Sequence, residues 1–142
     1  MPKLWLILSL GTNTYLIGRG PQRILIDTGE GKPSWGANLR SILSTEQATV
    51  HQVLLTHRHT DHVNGVPDLL RICPQAQIYK NQPQPGQMEI QDGQVFRVKG
   101  ATLTACHTPG HTGDHMVYLF EEEDAMFTGD SSELYLLASM GV

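Results

Sequence analysis

Three histidines and one aspartate lie within six consecutive residues of this chain, at His57, His59, Asp61 and His62. Imidazole nitrogens and carboxylate oxygens are the ligands that zinc takes in hydrolytic sites, where one coordination position stays open for water. From an extended loop, the alternating positions 57, 59 and 61 can point one way while position 62 turns the other way. The stretch therefore predicts metal-assisted hydrolysis at a binuclear site. The alternative is a polar turn with solvated histidines.

Three further residues are candidates for the same site. His111 lies in a loop of proline and glycine, and Asp130 follows Phe127-Thr128-Gly129. Alone, such a residue is more often solvated or a helix cap, but with the first cluster both fit as metal ligands. Asp27 ends an apolar strand. It is either a turn aspartate bonded to the following backbone or a residue that supports the metal ligands from behind.

Composition limits the classes of protein to consider. A chain of 142 residues with 39% hydrophobic and 17% charged residues suits one globular domain. The net charge of -4 excludes a general attraction to nucleic acid or to anionic membranes, so any polyanion must be attracted locally, for example by metal ions. Cys73 and Cys106 lack a CxxC spacing and are expected to be buried thiols. The apolar start at 4–8 predicts a strand rather than a signal peptide.

Short apolar runs separated by turn residues predict an α/β fold. Strands at 14–17 and 23–27 should form a hairpin, and the apolar spacing at 35–43 predicts an amphipathic helix. The nearly continuous apolar run at 50–55 predicts a strand covered by helices on both faces. The histidine cluster follows this strand directly, at the carboxyl end where functional groups collect in open α/β sheets.

The second half of the chain predicts one more helix and several strands. The helix should cover 63–72, with Thr60 or Asp61 near its N-terminus and Pro74 after its end. Residues 75–94 are polar and contain Pro83, Pro85 and Gly86, which predicts a surface excursion that shapes a substrate cleft. The predicted strands are 77–80, 95–98, 101–107, 116–120 and 125–128.

The string THRHTDH, together with the downstream strings TPGH and FTGD, resembles the metallo-β-lactamase superfamily. This resemblance implies an αββα sandwich with zinc ions at its edge. By the family's scheme, His57, His59 and His111 would bind the first zinc and Asp61 and His62 the second. Asp130 would bridge the two ions, Asp27 would support the site from behind, and Asp61 would also orient the attacking water.

A finer resemblance is to the group of beta-lactamase-like protein 2, carried by residues 11–16, 20–30 and 108–116. It implies an endoribonuclease that uses zinc-activated water on single-stranded RNA in the mitochondrial matrix. The cytoplasm is the alternative location, because no transit peptide is evident. His115 belongs to the resembling stretch and is expected to be structural or to line the rim. A thioester or lactam hydrolase is the alternative activity, because the metal does not choose the substrate. No membrane partner is expected, and the oligomeric state stays open.

Two stretches depart from the family pattern. The first ten residues differ from the group's start, and no histidine follows His115 although the family has a final histidine ligand there. The second zinc would therefore lack one protein ligand. We expect residues 1–142 to form one metallo-β-lactamase-like domain with an incomplete second half. A truncated and catalytically impaired form that acts at most by binding is the alternative.

Overall fold

A computed structural model of the chain describes residues 3–9, 12–56, 63–108, 113–128 and 134–136. Two β-sheets face each other, and two α-helices pack on the outer face of the first sheet. Among the described residues, these are a helical layer and both sheet layers of the expected αββα sandwich. None of the helices in those ranges is long and apolar enough to cross a membrane.

The first sheet has six strands in sequential order, so each strand pairs with the next described strand along the chain. The pairs β1–β2 and β2–β3 are antiparallel, and β3 to β6 run parallel. The predicted hairpin at 14–17 and 23–27 is confirmed as the β2–β3 pair. Its strands are β1 (Lys3–Ser9), β2 (Thr12–Gly18), β3 (Gln22–Ile26), β4 (Thr49–Leu54), β5 (Gln77–Lys80) and β6 (Met88–Glu89).

The second sheet has five antiparallel strands in the order β11-β10-β9-β8-β7. Four of them were predicted within one residue of their observed bounds. The two-residue β6 and the short β11 were missed, because neither carries enough alternation to register as a strand. A single 3₁₀ turn at Glu121–Glu123 joins β9 to β10. The strands are β7 (Val95–Val98), β8 (Ala101–His107), β9 (Met116–Phe120), β10 (Ala125–Phe127) and β11 (Leu134–Leu136).

Strand β4 lies between two different apolar cores. Val53 packs with the helices, whereas Leu54 packs with Tyr118 and Phe127 of the second sheet. The prediction that helices cover both faces of this strand is therefore wrong. A continuous apolar run shows that both faces are buried, but it does not distinguish a helix from a second sheet as the cover.

Helix α1 (Pro33–Glu46) contains the predicted helix at 35–43. Proline near its start suits the helix because the first backbone N–H groups have no partner inside it. Trp35 is fully buried, and its indole Nε1 donates a hydrogen bond of 2.9 Å to Oγ1 of Thr14 in β2. This bond fixes the helix against the first sheet.

Helix α2 (Val66–Ile72) begins later than predicted. Its N-cap is Gly65, whereas Thr60 and Asp61, the predicted residues near its N-terminus, lie outside the described residues. Pro74 follows its end as expected. Of the two thiols predicted to be buried, Cys73 is buried, but Cys106 is only half-buried because it lies on the outer face of β8.

Candidate functional site

All six predicted metal ligands lie outside the described residues: His57, His59, Asp61, His62, His111 and Asp130. Within the described ranges, no group of three or more histidine, cysteine, aspartate or glutamate side chains is placed to hold a metal ion. The structure does describe the residues on both sides of each ligand segment. These flanking residues show which strands and helices precede and follow each ligand segment.

The strands before the three ligand segments end at one edge of the sandwich. The backbone N–H of Met116, at the start of β9, donates a 2.8 Å hydrogen bond to the carbonyl of Thr56, which precedes His57. His107, near the end of β8, pairs with Met116, and Phe127, near the end of β10, pairs with Tyr118. Segments 57–62, 109–112 and 129–133 therefore start from neighbouring strand ends.

The base of the His111 segment is closed by three hydrogen bonds. The Thr108 backbone N–H donates to the His115 carbonyl at 2.9 Å, and Oγ1 of Thr108 lies 2.8 Å from Nδ1 of His115. The imidazole Nε2 of His107 lies 2.8 Å from the carbonyl oxygen of Gly113. His115 thus has the structural role that was one of its two expected roles, because it is bonded to the residue that precedes segment 109–112.

Asp27 is the one predicted site residue that the structure describes. It is almost fully buried and adopts a φ of 61°, a left-handed conformation that aspartate tolerates better than most residues. Its Oδ1 accepts a hydrogen bond from the Thr56 backbone N–H, and its Oδ2 accepts one from the Thr56 hydroxyl, both at 2.8 Å. These bonds join the ends of β3 and β4 and fix the residue that precedes His57, as a supporting role requires.

A glycine makes a second close contact behind the same segment. A Cβ atom on Gly65 would lie 2.0 Å from the carbonyl oxygen of Thr28 and 2.9 Å from its carbonyl carbon. Only glycine lets the backbone after His62 approach the Thr28 backbone so closely. Together with Asp27, this contact holds the segment from both ends.

Lys80 and Asp114 form an ion pair that the sequence did not predict. The side chains are 4% and 0% exposed, and the pair joins the end of β5 to the segment before β9. Two further hydrogen bonds from Nζ of Lys80 reach the carbonyls of Asn81, at 3.1 Å, and Gln82, at 3.3 Å. All three N–H donors of the ammonium group therefore have protein acceptors.

Tyr118 is a fully buried residue of β9 whose hydroxyl reaches the end of β4. Its hydroxyl donates a 2.7 Å hydrogen bond to the carbonyl of Leu55, one residue before Thr56. Burial raises the pKa of the phenol well above its usual value, and the negative charges of Asp27 and then Asp114 raise it further. The phenol therefore stays neutral and keeps donating. No local pattern in the sequence distinguishes this tyrosine from a core aromatic residue.

A cleft of about 400 Å³ opens beside the first ligand segment. One wall contains Val63, which follows His62 directly, with Val66 and Pro67 at the start of α2. Gln84 and Gln87 line it from the polar excursion that was predicted to shape a cleft. A second cleft of similar volume lies between α1 and α2, where Arg40 and Arg71 are charged lining residues.

A family model described as the metallo-beta-lactamase superfamily matches residues 9–141 of this chain. Lactamase-like protein aptB of Emericella nidulans is 58% identical over 85% of the chain. An atrochrysone carboxyl ACP thioesterase of Claviceps purpurea is 54% identical over the same share. The chain spans about 40% of the length of these two curated relatives.

Solved structures show the same fold. ETHE1 from Myxococcus xanthus superimposes with a TM-score of 0.74 at 26% sequence identity, covering 89% of this chain and 56% of that one. The subclass B3 metallo-beta-lactamase MEM-A1, from a soil metagenome library, gives a TM-score of 0.68 at 21% identity. This match covers 82% of the present chain and 54% of MEM-A1. Both superpositions extend across most of the chain.

Proposed function

Because this chain belongs to the metallo-β-lactamase superfamily, we propose that it supplies the metal-binding part of a hydrolase that cleaves thioesters. One observation carries the proposal: the 54% identity to a relative named as an acyl carrier protein thioesterase, over 85% of the chain. The chain covers about 40% of that relative, so the proposal concerns the chemistry to which these residues contribute. The substrate class is an acyl group in thioester linkage to a carrier.

Cleavage of single-stranded RNA, the activity implied by the finer resemblance, has no support from these relatives. The same holds for the mitochondrial location that came with it. The thioester alternative is better supported, because two relatives of more than half-identical sequence carry the thioesterase name in different fungi. RNA cleavage is kept as the second outcome of the test below.

The donor set of the ligand segments fits zinc. Histidine nitrogens with carboxylate oxygens suit this ion, and the proposal is supported by the described strands before the segments, whose ends lie at one edge. His57, His59 and His111 would hold one ion, Asp61 and His62 a second, and Asp130 would lie between them. Bound zinc would supply an activated water near neutral pH and would polarise the substrate carbonyl.

The protein groups have separate tasks in this reaction. Asp61 would accept a hydrogen bond from the attacking water and so orient it toward the carbonyl carbon. Asp27 and Thr56 would keep the 57–62 segment in place, because their hydrogen bonds fix the residue before His57. The water oxygen bonds to the acyl carbon and the carbon–sulfur bond breaks. The products are a carboxylic acid and a thiol, and the two protons of water end on these products.

The test uses the natural full-length protein, purified without chelators. Zinc content is measured by elemental analysis, and thiol release is measured with an acyl thioester of N-acetylcysteamine. We expect zinc to copurify and thiol release to fall at least about 100-fold in His57→Ala, since loss of a ligand removes the activated water. His51→Ala is the matched control, because His51 lies on β4 outside the ligand segments and its loss should leave both readouts unchanged.

Two results would overturn the proposal. The first is a zinc-loaded protein that releases no thiol but cleaves single-stranded RNA in a His57-dependent manner, which would establish the ribonuclease instead. The second is a folded protein without zinc and without either activity, which would leave the binding-only alternative.

A further inference from the structure

The cleft beside the first ligand segment has no charged group available to a ligand among its described lining residues. Lys80 is the one charged side chain that the structure describes there. Its three donors are used by Asp114, Asn81 and Gln82, and its charge is matched by the buried carboxylate. Lys80 therefore offers its aliphatic stem to the cleft rather than a free ammonium group.

Another part of the cleft lining is a turn that carries two amide side chains. Pro85 and Gly86 occupy the central positions between Gln84 and Gln87, and Gly86 has a φ of 85°. The Gln87 backbone N–H donates to the Gln84 carbonyl at 2.9 Å, as in a type II turn with proline and glycine at its centre. The Gln87 side-chain oxygen also accepts a 3.0 Å hydrogen bond from the Gln84 N–H. This second bond fixes the amide at the rim.

Together these features define the kind of ligand that the cleft can bind. Val63, Val66 and Pro67 provide apolar contact, while the glutamine amides provide neutral hydrogen-bonding groups. A volume of about 400 Å³ lies within the range of sites that bury small organic ligands. A charged ligand would lose its hydration without gaining a counter-charge from the described lining, which is costly.

We infer that this cleft binds an uncharged, partly apolar arm of the thioester substrate, held between the α2 wall and the Gln84–Gln87 turn. The inference rests on the proposed function and deepens it. Two parts of a thioester share this chemistry: a neutral acyl group and an amide-containing thiol arm of the pantetheine type. Val63 is covalently next to His62, so a ligand in the cleft lies beside the segment that would carry out the hydrolysis.

The chain offers a matched pair of variants for the test. Gln87→Glu places a negative charge at the rim and keeps the oxygen that accepts the Gln84 N–H. Gln94→Glu does the same in a second turn, where Oε1 of Gln94 accepts a 2.9 Å hydrogen bond from the Gln91 N–H. Gln94 is not among the described residues that line the cleft. Thermal unfolding of both variants checks that they fold alike.

The full-length protein and both variants are assayed by thiol release on two substrate series. One series varies the acyl group on N-acetylcysteamine, as acetyl, benzoyl, a carboxylate-bearing acyl or an amine-bearing acyl. The other joins benzoate to N-acetylcysteamine or to pantetheine. If the cleft holds the acyl group, the wild type should prefer neutral acyl groups. Gln87→Glu should lower kcat/KM about tenfold for the substrate part that occupies the cleft, and it should favour the amine-bearing substrate. Gln94→Glu should match the wild type.

The outcome also identifies which arm the cleft holds. An effect that changes along the acyl series assigns the cleft to the acyl group, and one that changes between the two thiols assigns it to the thiol arm. If Gln87→Glu changes all substrates equally or behaves like Gln94→Glu, the inference is overturned although the proposed function stands. If the wild type releases thiol from no substrate, the proposed function fails first.

Discussion

Two buried carboxylates, Asp27 and Asp114, lie at the ends of strands near the candidate site, and they are stabilised in different ways. Asp27 accepts hydrogen bonds from the backbone and hydroxyl of Thr56, within the first sheet. Asp114 pairs with the ammonium group of Lys80 and so connects the first sheet to the segment that leads into the second. Among the described contacts, the first carboxylate accepts hydrogen bonds from neutral donors beside a neighbouring strand, and the second pairs with a full counter-charge.

This difference separates two kinds of structural support. A hydrogen bond from a neutral donor makes a modest net contribution to stability, so losing one neutral donor costs moderately. A buried ion pair costs a large desolvation energy, and losing one partner leaves a buried charge. We therefore expect the Lys80–Asp114 pair to be the more sensitive of the two, and the Asp27–Thr56 pair to be the more tolerant.

Lys80→Met should give the largest loss of stability. The variant keeps most of the aliphatic stem but leaves the Asp114 carboxylate buried without its counter-charge, which should lower the free energy of unfolding by about 3–5 kcal/mol. Urea unfolding of the full-length protein measures the change. In Lys80→Met with Asp114→Leu, most of the loss should be recovered because no buried charge remains. Equal losses in the single and double variants would contradict this account.

Gly65→Ala should give the next largest loss, and it tests the close backbone contact beside the Asp27–Thr56 pair. The added methyl carbon would lie 2.0 Å from the Thr28 carbonyl oxygen. Neither atom can move without its own backbone, so the backbone at Gly65 and the backbone at Thr28 must separate. We expect a loss of about 3 kcal/mol by urea unfolding, at the upper end of overpacking costs. Gly36→Ala in α1 is the control. Its methyl would meet its nearest neighbour at 3.8 Å, and the change should be neutral or stabilising.

The Asp27–Thr56 pair and the Lys80–Asp114 pair also differ in how far the sequence predicts them. Asp27 was identified because it ends an apolar strand, which is a local signal. Both β3 and β4 were predicted as strands from their apolar runs, although their pairing was not predicted. Lys80 and Asp114 are 34 residues apart, and nothing in either local pattern indicates that they meet. Their contact depends on how the two sheets pack, which apolar periodicity does not encode. The same limit explains why helices were wrongly expected on both faces of β4.

For the ligand segments, the sequence predicts the residues and their chemistry but not their arrangement in the fold. His57, His59, Asp61, His62, His111 and Asp130 were selected by residue type and spacing, which carry the chemistry without any knowledge of the fold. Their assignment to zinc stays a prediction. What the structure adds is the position of the flanking strand ends, where Thr56 and Met116 are joined by a hydrogen bond across the sheets. Sequence spacing alone does not bring segments so distant in the chain to one edge.

Thr56→Val should lower the free energy of unfolding moderately, because it weakens the Asp27–Thr56 pair. Valine matches the shape of threonine but removes the hydroxyl that donates to Oδ2 of Asp27, while the backbone donor to Oδ1 remains. We expect a loss of about 1–3 kcal/mol in urea unfolding. We also expect weaker zinc retention on dialysis against a chelator, because the residue before His57 is held less firmly. Thr56→Ser keeps the hydroxyl and should retain most of both. A loss as large as that of Lys80→Met would contradict the proposed difference between the Asp27–Thr56 pair and the Lys80–Asp114 pair.

Tyr118→Phe should have the smallest effect at neutral pH, about 1 kcal/mol for the hydrogen bond to the Leu55 carbonyl. Its effect on pH dependence is more specific. Burial, then Asp27 and then Asp114 raise the pKa of the Tyr118 phenol in the folded protein, whereas in the unfolded chain it titrates near about pH 10. The unfolded state therefore loses its proton first, so the free energy of unfolding falls as pH rises above about 10. Urea unfolding between about pH 9 and about pH 11 should show a shallower decline in Tyr118→Phe than in the wild type. Identical slopes would contradict this account, because they would mean that neither burial nor the two carboxylates raise the pKa of this phenol in the folded protein.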